Sequence, residues 1–181
     1  MSGGNAQTPP VAAAPTVMTL AQTQLPAAIL LPEGHIPGSH KLPVIVSIYG
    51  GPHHSEVVAS RLAFSTNQWL ANQGFAVVVI DNRGNPGKGP AWERAVSGNL
   101  ADPVLDDQVA GLQEILAMYP DDMDSARVGM RGWSFGGFLT ALAVLERPDV
   151  YAAGWSGAPV TQWSLYDTGY TERYLGHPKQ N

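Results

Sequence analysis

Ser134 is the residue of this sequence best placed to do chemistry. It stands in Arg131-Gly132-Trp133-Ser134-Phe135-Gly136-Gly137, a G-x-S-x-G pattern with the apolar run Phe138 to Leu145 directly behind it. In that pattern a serine occupies the sharp turn between a strand and a helix, and its hydroxyl stands clear of the sheet as a nucleophile. The glycines have a steric reason. Side chains at 132 and 136 would collide with the adjoining strand and helix, and the turn strains the serine backbone. The alternative is that these glycines merely let a helix pack closely on a sheet. Context favours the nucleophile: Asp124 to Met130 reads as a turn entering a short buried strand, and Phe135 to Glu146 as a helix stopped by Arg147-Pro148.

A serine nucleophile needs a base to take its proton and a carboxylate to orient that base. His53 and His54 follow an apolar strand, on the edge of the sheet where the serine turn also opens. His177, in the turn Gly176-His177-Pro178, is the only histidine after Ser134. All three are candidate bases, and all three also read simply as loop residues. Asp81, Asp107 and Asp167 are the carboxylates that could orient one. No histidine cluster has metal-ligand spacing. The loop Asp81 to Gly89 fits neither the dinucleotide fingerprint nor a Walker loop, since no Ser or Thr follows Gly87-Lys88. It reads as a structural crossover, and neither metal nor cofactor is expected.

The elements that must carry these residues alternate. Val17 to Leu20 and Ala27 to Leu31 are short apolar segments that suit a pair of first strands. Leu42 to Tyr49 is a nearly continuous apolar run, as in a parallel strand buried on both faces, and ends in Gly50-Gly51-Pro52. Arg61 to Gln73 predicts a helix with Leu62, Trp69 and Leu70 available for burial and Gly74 as its C-terminal cap. Phe75 to Ile80 predicts a strand, Asp106 to Tyr119 an amphipathic helix, Tyr151 to Ser156 a further strand and Thr161 to Tyr170 a short aromatic-rich helix. Alternating strands and helices imply a mostly parallel sheet covered on both faces.

Composition bounds the possibilities. The 181 residues suit one domain. Residues 1–16, rich in Gly, Pro and Ala, read as a disordered leader or linker, and residues 17–181 as the folded part. A formal charge of -5 argues against a nucleic-acid partner. The absence of cysteine excludes disulfides and a thiol nucleophile. No secretory signal or membrane-length apolar run is evident, so a cytoplasmic protein without a membrane partner is expected.

Taken together, Tyr49-Gly50-Gly51-Pro52, Asp81-Asn82-Arg83-Gly84, Gly132-Trp133-Ser134-Phe135-Gly136-Gly137 and Ala158-Pro159-Val160-Thr161-Gln162-Trp163 resemble the prolyl oligopeptidase family in content and order. The ending Tyr166-Asp167-Thr168-Gly169-Tyr170-Thr171-Glu172-Arg173-Tyr174-Leu175-Gly176 is similar to the dipeptidyl peptidase IV branch. The resemblance implies an α/β-hydrolase catalytic domain cleaving peptide or ester bonds by acyl transfer. It implies Ser134 as nucleophile, with the backbone N–H of Phe135 and the hydroxyl of Tyr49 as oxyanion donors. It also implies Phe135, Val160, Trp163, Tyr166 and Tyr170 as the walls of a pocket for a proline or alanine side chain. Flat apolar rings stack well on such walls. The same spacing would also suit a helix face buried in a core. Phe135 stands where the dipeptidyl peptidases usually carry tyrosine, keeping the aromatic wall without its hydroxyl.

The resemblance places the family's Asp and His after the nucleophile, on loops beyond residue 181, together with the last two strands; the amine-anchoring propeller would precede the domain. Residues 17–181 are therefore expected to form an α/β-hydrolase fold lacking the C-terminal strands. His53, His54 or His177, from this chain or from a partner subunit, is then the candidate substitute base. The alternative is a catalytically near-inactive fragment that binds or self-associates. The edge exposed at Tyr151 to Ser156 predicts a homo-oligomer.

Overall fold

A computed structural model describes residues 12–180. The chain builds one six-stranded sheet in the order β1-β2-β4-β3-β5-β6, from β1 (Thr16–Thr19), β2 (Pro26–Leu30), β3 (Leu42–Ile48), β4 (Ala76–Ile80), β5 (Met123–Trp133) and β6 (Ala153–Gly157). β1 pairs with β2, and β2 with β4, antiparallel; β4, β3, β5 and β6 run parallel. The apolar runs become the central strands because a strand covered on both faces has little room for polar side chains, Ser47 in β3 being an exception. All five residues of β4 are buried.

Helices lie on both faces, as expected of an α/β-hydrolase fold. On one face α3 (Asp102–Met118) and α4 (Phe135–Glu146) cover Val44, Val46, Ile48, Val78, Val128 and Met130 with Leu112, Ile115 and Leu139. On the other face Phe64 and Ala71, from a 3-10 turn (Arg61–Phe64) and α1 (Ser65–Ala71), close over Ala28, Leu30, Val77 and Val79. That cover stops short of β5 and β6. It leaves a groove of about 720 Å³ floored by Ile45, Gly129 and Ala153, with Trp69, Leu70 and Trp155 around it. Two short helices, α2 (Pro90–Arg94) and α5 (Thr168–Leu175), complete the fold. Among the described residues, no helix is long and apolar enough to cross a membrane.

Several expectations need correction. The helix expected over 61–73 is divided, and Leu62 and Trp69 are exposed rather than buried, at 69% and 53%. The reason is that α1 packs mainly on β2 and β4, so its Trp69 side faces the groove. The helix expected over 161–170 is a 3-10 turn (Trp163–Leu165) followed by α5. Asp167 restarts the helix there by accepting the N–H of Tyr170 at 2.8 Å, as an N-cap does. The last strand begins at Ala153 instead of Tyr151, whose N–H is drawn back to Arg147 O at the exit of α4. β5 is far longer than a short strand. Its register jumps from Pro43↔Asp124 to Val44↔Val128, so Ser125, Ala126 and Arg127 bulge out. Residues 1–11 of the expected leader lie outside the described residues. Ala13 is already buried against the α1 side and Thr16 belongs to β1, so packing begins before Val17.

Candidate active site

β3 is flanked by β4 on one side and β5 on the other, so the chain leaves it in opposite directions. Such a switch point opens a crevice at the carboxyl ends of the strands, where sites in open α/β sheets are found. Ser134 follows β5 directly and Tyr49 follows β3, so adjacent strands deliver both residues to that crevice.

Ser134 has φ 57° and ψ -114°, a left-handed conformation that costs a non-glycine residue strain. Backbone contacts hold it there: its N–H donates to Gly157 O at 2.9 Å, and its carbonyl accepts from Phe138 N–H at 3.0 Å. The glycines around it are dictated by space. A Cβ on Gly132 would run into the carbonyl of Gly136, one on Gly136 into Ile48 O, and one on Gly137 into Gly157 O, each inside 3.0 Å. This is the strand–turn–helix arrangement of a nucleophile elbow. Phe135 is the first residue of α4, and its N–H has no intrahelical acceptor.

At the end of β3, Tyr49 packs its ring at 6.1 Å from Phe135 and 5.0 Å from His54, centroid to centroid. Burial, and then the neighbouring Tyr166 and Glu56, push its phenol above the usual tyrosine range, so it stays a hydrogen-bond donor at neutral pH. The turn after it is tight. Gly50 has φ 72°, and a Cβ on Gly51 would meet the Tyr49 ring at 2.8 Å. Asn82 Nδ2 donates to Gly50 O at 2.9 Å, and Asn85 Nδ2 to Gly51 O at 2.8 Å and His54 O at 2.6 Å. Gln108 steadies Asn82 from α3 at 3.0 Å. The loop at 81–85 is thus structural, and it holds the turn that presents Tyr49.

The aromatic residues gather as a wall. Trp163 lies 5.6 Å from Phe135, stacks on Tyr170 at 6.2 Å with ring planes 14° apart, and meets Tyr166 edge-on at 6.1 Å. Tyr174, not singled out in the sequence, continues the row 4.9 Å from Tyr170. Its i+4 spacing from Tyr170 is the signal that was there to read. Trp163 and Tyr166 also line a cavity of about 230 Å³ against α5. Val160 is half-buried at the start of this segment.

None of the candidate bases meets the serine: among the described residues, no imidazole nitrogen hydrogen-bonds to Ser134. His53 turns against Tyr174 at 5.5 Å, His54 against Tyr49, and exposed His177 accepts the N–H of Lys179 at 3.3 Å. The three aspartates are engaged elsewhere. Asp107 pairs with Arg83 at 2.8 Å, Asp167 caps α5, and Asp81 accepts the N–H groups of Glu56 at 2.8 Å and Val57 at 3.2 Å. Glu56 was also missed. It shares a cavity of about 310 Å³ with Ser47, Tyr49, His54, Arg131 and Trp133, beside the serine turn. Burial, with Asp81 nearby, pushes its carboxyl up to about 7 against the pull of the Tyr49 N–H and Arg131. No grouping of His, Asp and Glu among the described residues could hold a metal.

The sequence profile described as the prolyl oligopeptidase family matches residues 61–181. Dipeptidyl peptidase 8 of Mus musculus and of Homo sapiens are each 46% identical over 145 residues, 78% of this chain and 16% of theirs. Dipeptidyl peptidase family member 2 of Caenorhabditis elegans is 32% identical over 171 residues, 91% of this chain and 20% of its own. A crystal structure of a Bacteroides ovatus protein, provisionally assigned as a dipeptidyl aminopeptidase IV, superposes with a TM-score of 0.81 at 32% identity, over 92% of this chain and 24% of that one. The chain thus spans between 16% and 20% of the length of these curated relatives.

Proposed function

The chain belongs to the prolyl oligopeptidase family, and from that premise we propose that it carries the nucleophile, oxyanion donors and side-chain pocket of a serine peptidase acting by acyl transfer. The observation that carries this reading is the strained backbone of Ser134 at the end of β5, with Tyr49 ending the adjacent strand β3 and packing on Phe135. Ser134 Oγ attacks the substrate carbonyl carbon, and the oxygen gains negative charge between the Tyr49 hydroxyl and the Phe135 N–H. Donors aimed at that charge are worth more in the transition state than in the ground state. Phe135, Val160, Trp163, Tyr166 and Tyr170 accept the small apolar side chain next to the scissile bond. Peptides, simple esters and activated amides are the substrate class.

A second reading is favoured by one observation: no imidazole reaches the serine among the described residues. Residues 1–181 on their own would then form a pocket with a slow serine. In triad proteases, losing the base costs on the order of a millionfold in kcat, while ~10³ to 10⁴ over water survives from binding and the oxyanion hole. Hydrolysis of a short p-nitrophenyl ester and of a Gly-Pro nitroanilide, beside Ser134→Ala, separates the two. A rate abolished by the substitution supports an activated serine and directs attention to His53, His54 and His177. Equal, near-background rates support the binding pocket alone. Association of two copies through β6 belongs to the same proposal.

A further inference from the structure

Tyr49 leaves the sheet at the end of β3, so its N–H has no strand partner; Glu56, seven residues on, supplies one. Glu56 Oε2 accepts that N–H at 2.6 Å, and Asp81 fixes the Glu56 backbone by accepting its own N–H. The contact is a short bond, charge-assisted when Glu56 is ionised, to the residue whose hydroxyl would face the oxyanion. Among the described residues, no other side chain bonds the Tyr49 backbone. Charged and titratable groups surround the carboxylate: Arg131 from β5, Asp81 from the end of β4, and His54 and the Tyr49 phenol from the loop and strand end. Ser47 and Trp133 close the rest of the cavity.

We propose that Glu56 is the positioning residue of the Tyr49 oxyanion donor, holding the backbone of Tyr49 through its ionised carboxylate so that acylation of Ser134 responds to the charge state of Glu56. This rests on the reading of Tyr49 and Ser134 given above. It also gives a role to the one acid in the stretch Val57 and Val58 follow, a position where an apolar side chain would leave the Tyr49 N–H bare. A neutral carboxyl is a weaker acceptor than a carboxylate, so the donor loosens as Glu56 takes a proton.

Two measurements on the full chain decide it. The first is the backbone amide resonance of Tyr49 followed by ¹⁵N-edited NMR between pH 5 and 9, in wild type, Glu56→Gln and Glu56→Leu. A resonance that titrates in wild type, with a midpoint near the raised value of Glu56 of about 7, and is flat in both variants is the expected result. A wild-type amide that does not titrate, or that Glu56→Leu leaves in place, overturns the inference. The second is the single-turnover rate at which a fluorophosphonate modifies Ser134, with Ser134→Ala and Tyr49→Phe as controls. Glu56→Leu is expected to slow modification about three- to tenfold, the range of one ordinary hydrogen bond, because the lost bond reaches the hydroxyl only through the Tyr49 backbone. Glu56→Gln should recover part of the rate, and the ratio of wild type to Glu56→Gln should fall below pH 7. Wild-type rates in Glu56→Leu, with Tyr49→Phe slowed, would sink this inference alone. No modification of wild type beyond Ser134→Ala would instead sink the reading of Ser134 as an activated nucleophile in residues 1–181, and the role of Glu56 in acylation with it. Unchanged far-ultraviolet circular dichroism separates either loss from unfolding.

Discussion

At the scale of single residues, Tyr49 and Glu56 pull stability and function in opposite directions. Removal of one oxyanion donor typically costs a hundredfold or more in turnover, so Tyr49→Phe, which keeps the ring against Phe135 and His54, should lower acylation of Ser134 by about that factor while leaving the melting temperature close to wild type. A fall in both would point to a structural tyrosine. Glu56 carries the reverse signature. Its carboxyl moves from 4.5 in the unfolded chain to about 7 in the fold, so the native state holds its proton more tightly than the unfolded state does. This contribution to stability is therefore full below pH 4.5, declines as pH rises toward 7, and is gone above it. The shift corresponds to roughly 3 kcal/mol at most. Glu56→Gln should accordingly be more stable than wild type in urea at pH 8, with the gap closing toward pH 5. A gap that does not depend on pH would show that burial of this carboxylate is not what strains the site.

At the scale of elements, the elbow is made by three close backbone approaches rather than by side-chain packing. Gly136 lets the first turn of α4 rest against the end of β3, because its missing Cβ would sit on Ile48 O. Gly136→Ala must push α4 off the sheet or distort Ser134. A destabilisation of about 2 kcal/mol or more is expected in denaturant unfolding, together with loss of fluorophosphonate reactivity. Wild-type stability in that variant would mean that α4 has room to shift. The turn after β3 is built in the same spirit, with Asn82 and Asn85 replacing strand partners for the Gly50 and Gly51 carbonyls. Asn82 is fully buried, so Asn82→Ala leaves Gly50 O without its donor, at a cost of about 1 to 3 kcal/mol.

At the scale of the whole molecule, β6 is the edge strand of the sheet among the described residues, with four exposed residues, among them Trp155 at 55%, and borders the groove that α1 leaves uncovered. An exposed strand edge beside apolar surface is a template for pairing with another chain. Residues 1–181 should therefore sediment as a dimer or larger at micromolar concentration, and Trp155→Lys, which places a charge on the edge, should shift them toward monomer. A monomeric wild type would remove β6 as an association surface.

The sequence by itself determined the central strands and the tight turn at Ser134, because both are written in local chemistry. Apolar β-branched runs such as Val77 to Ile80 have few stable settings other than a covered strand, and Gly132, Gly136 and Gly137 around Ser134 mark a turn no bulkier residue could make. The family followed from the same short segments in order. What the tertiary structure decided is which distant residues meet. Nothing local shows that α1 packs mainly on β2 and β4, leaving Trp69 in the open, or that Asp167 splits the last helix. Nothing local shows that His53 and His54 turn to Tyr174 and Tyr49 instead of the serine. Glu56 reads in the sequence as a lone acid among small and apolar neighbours, and only the end of β3, where an N–H loses its strand partner, gives that acid something to hold.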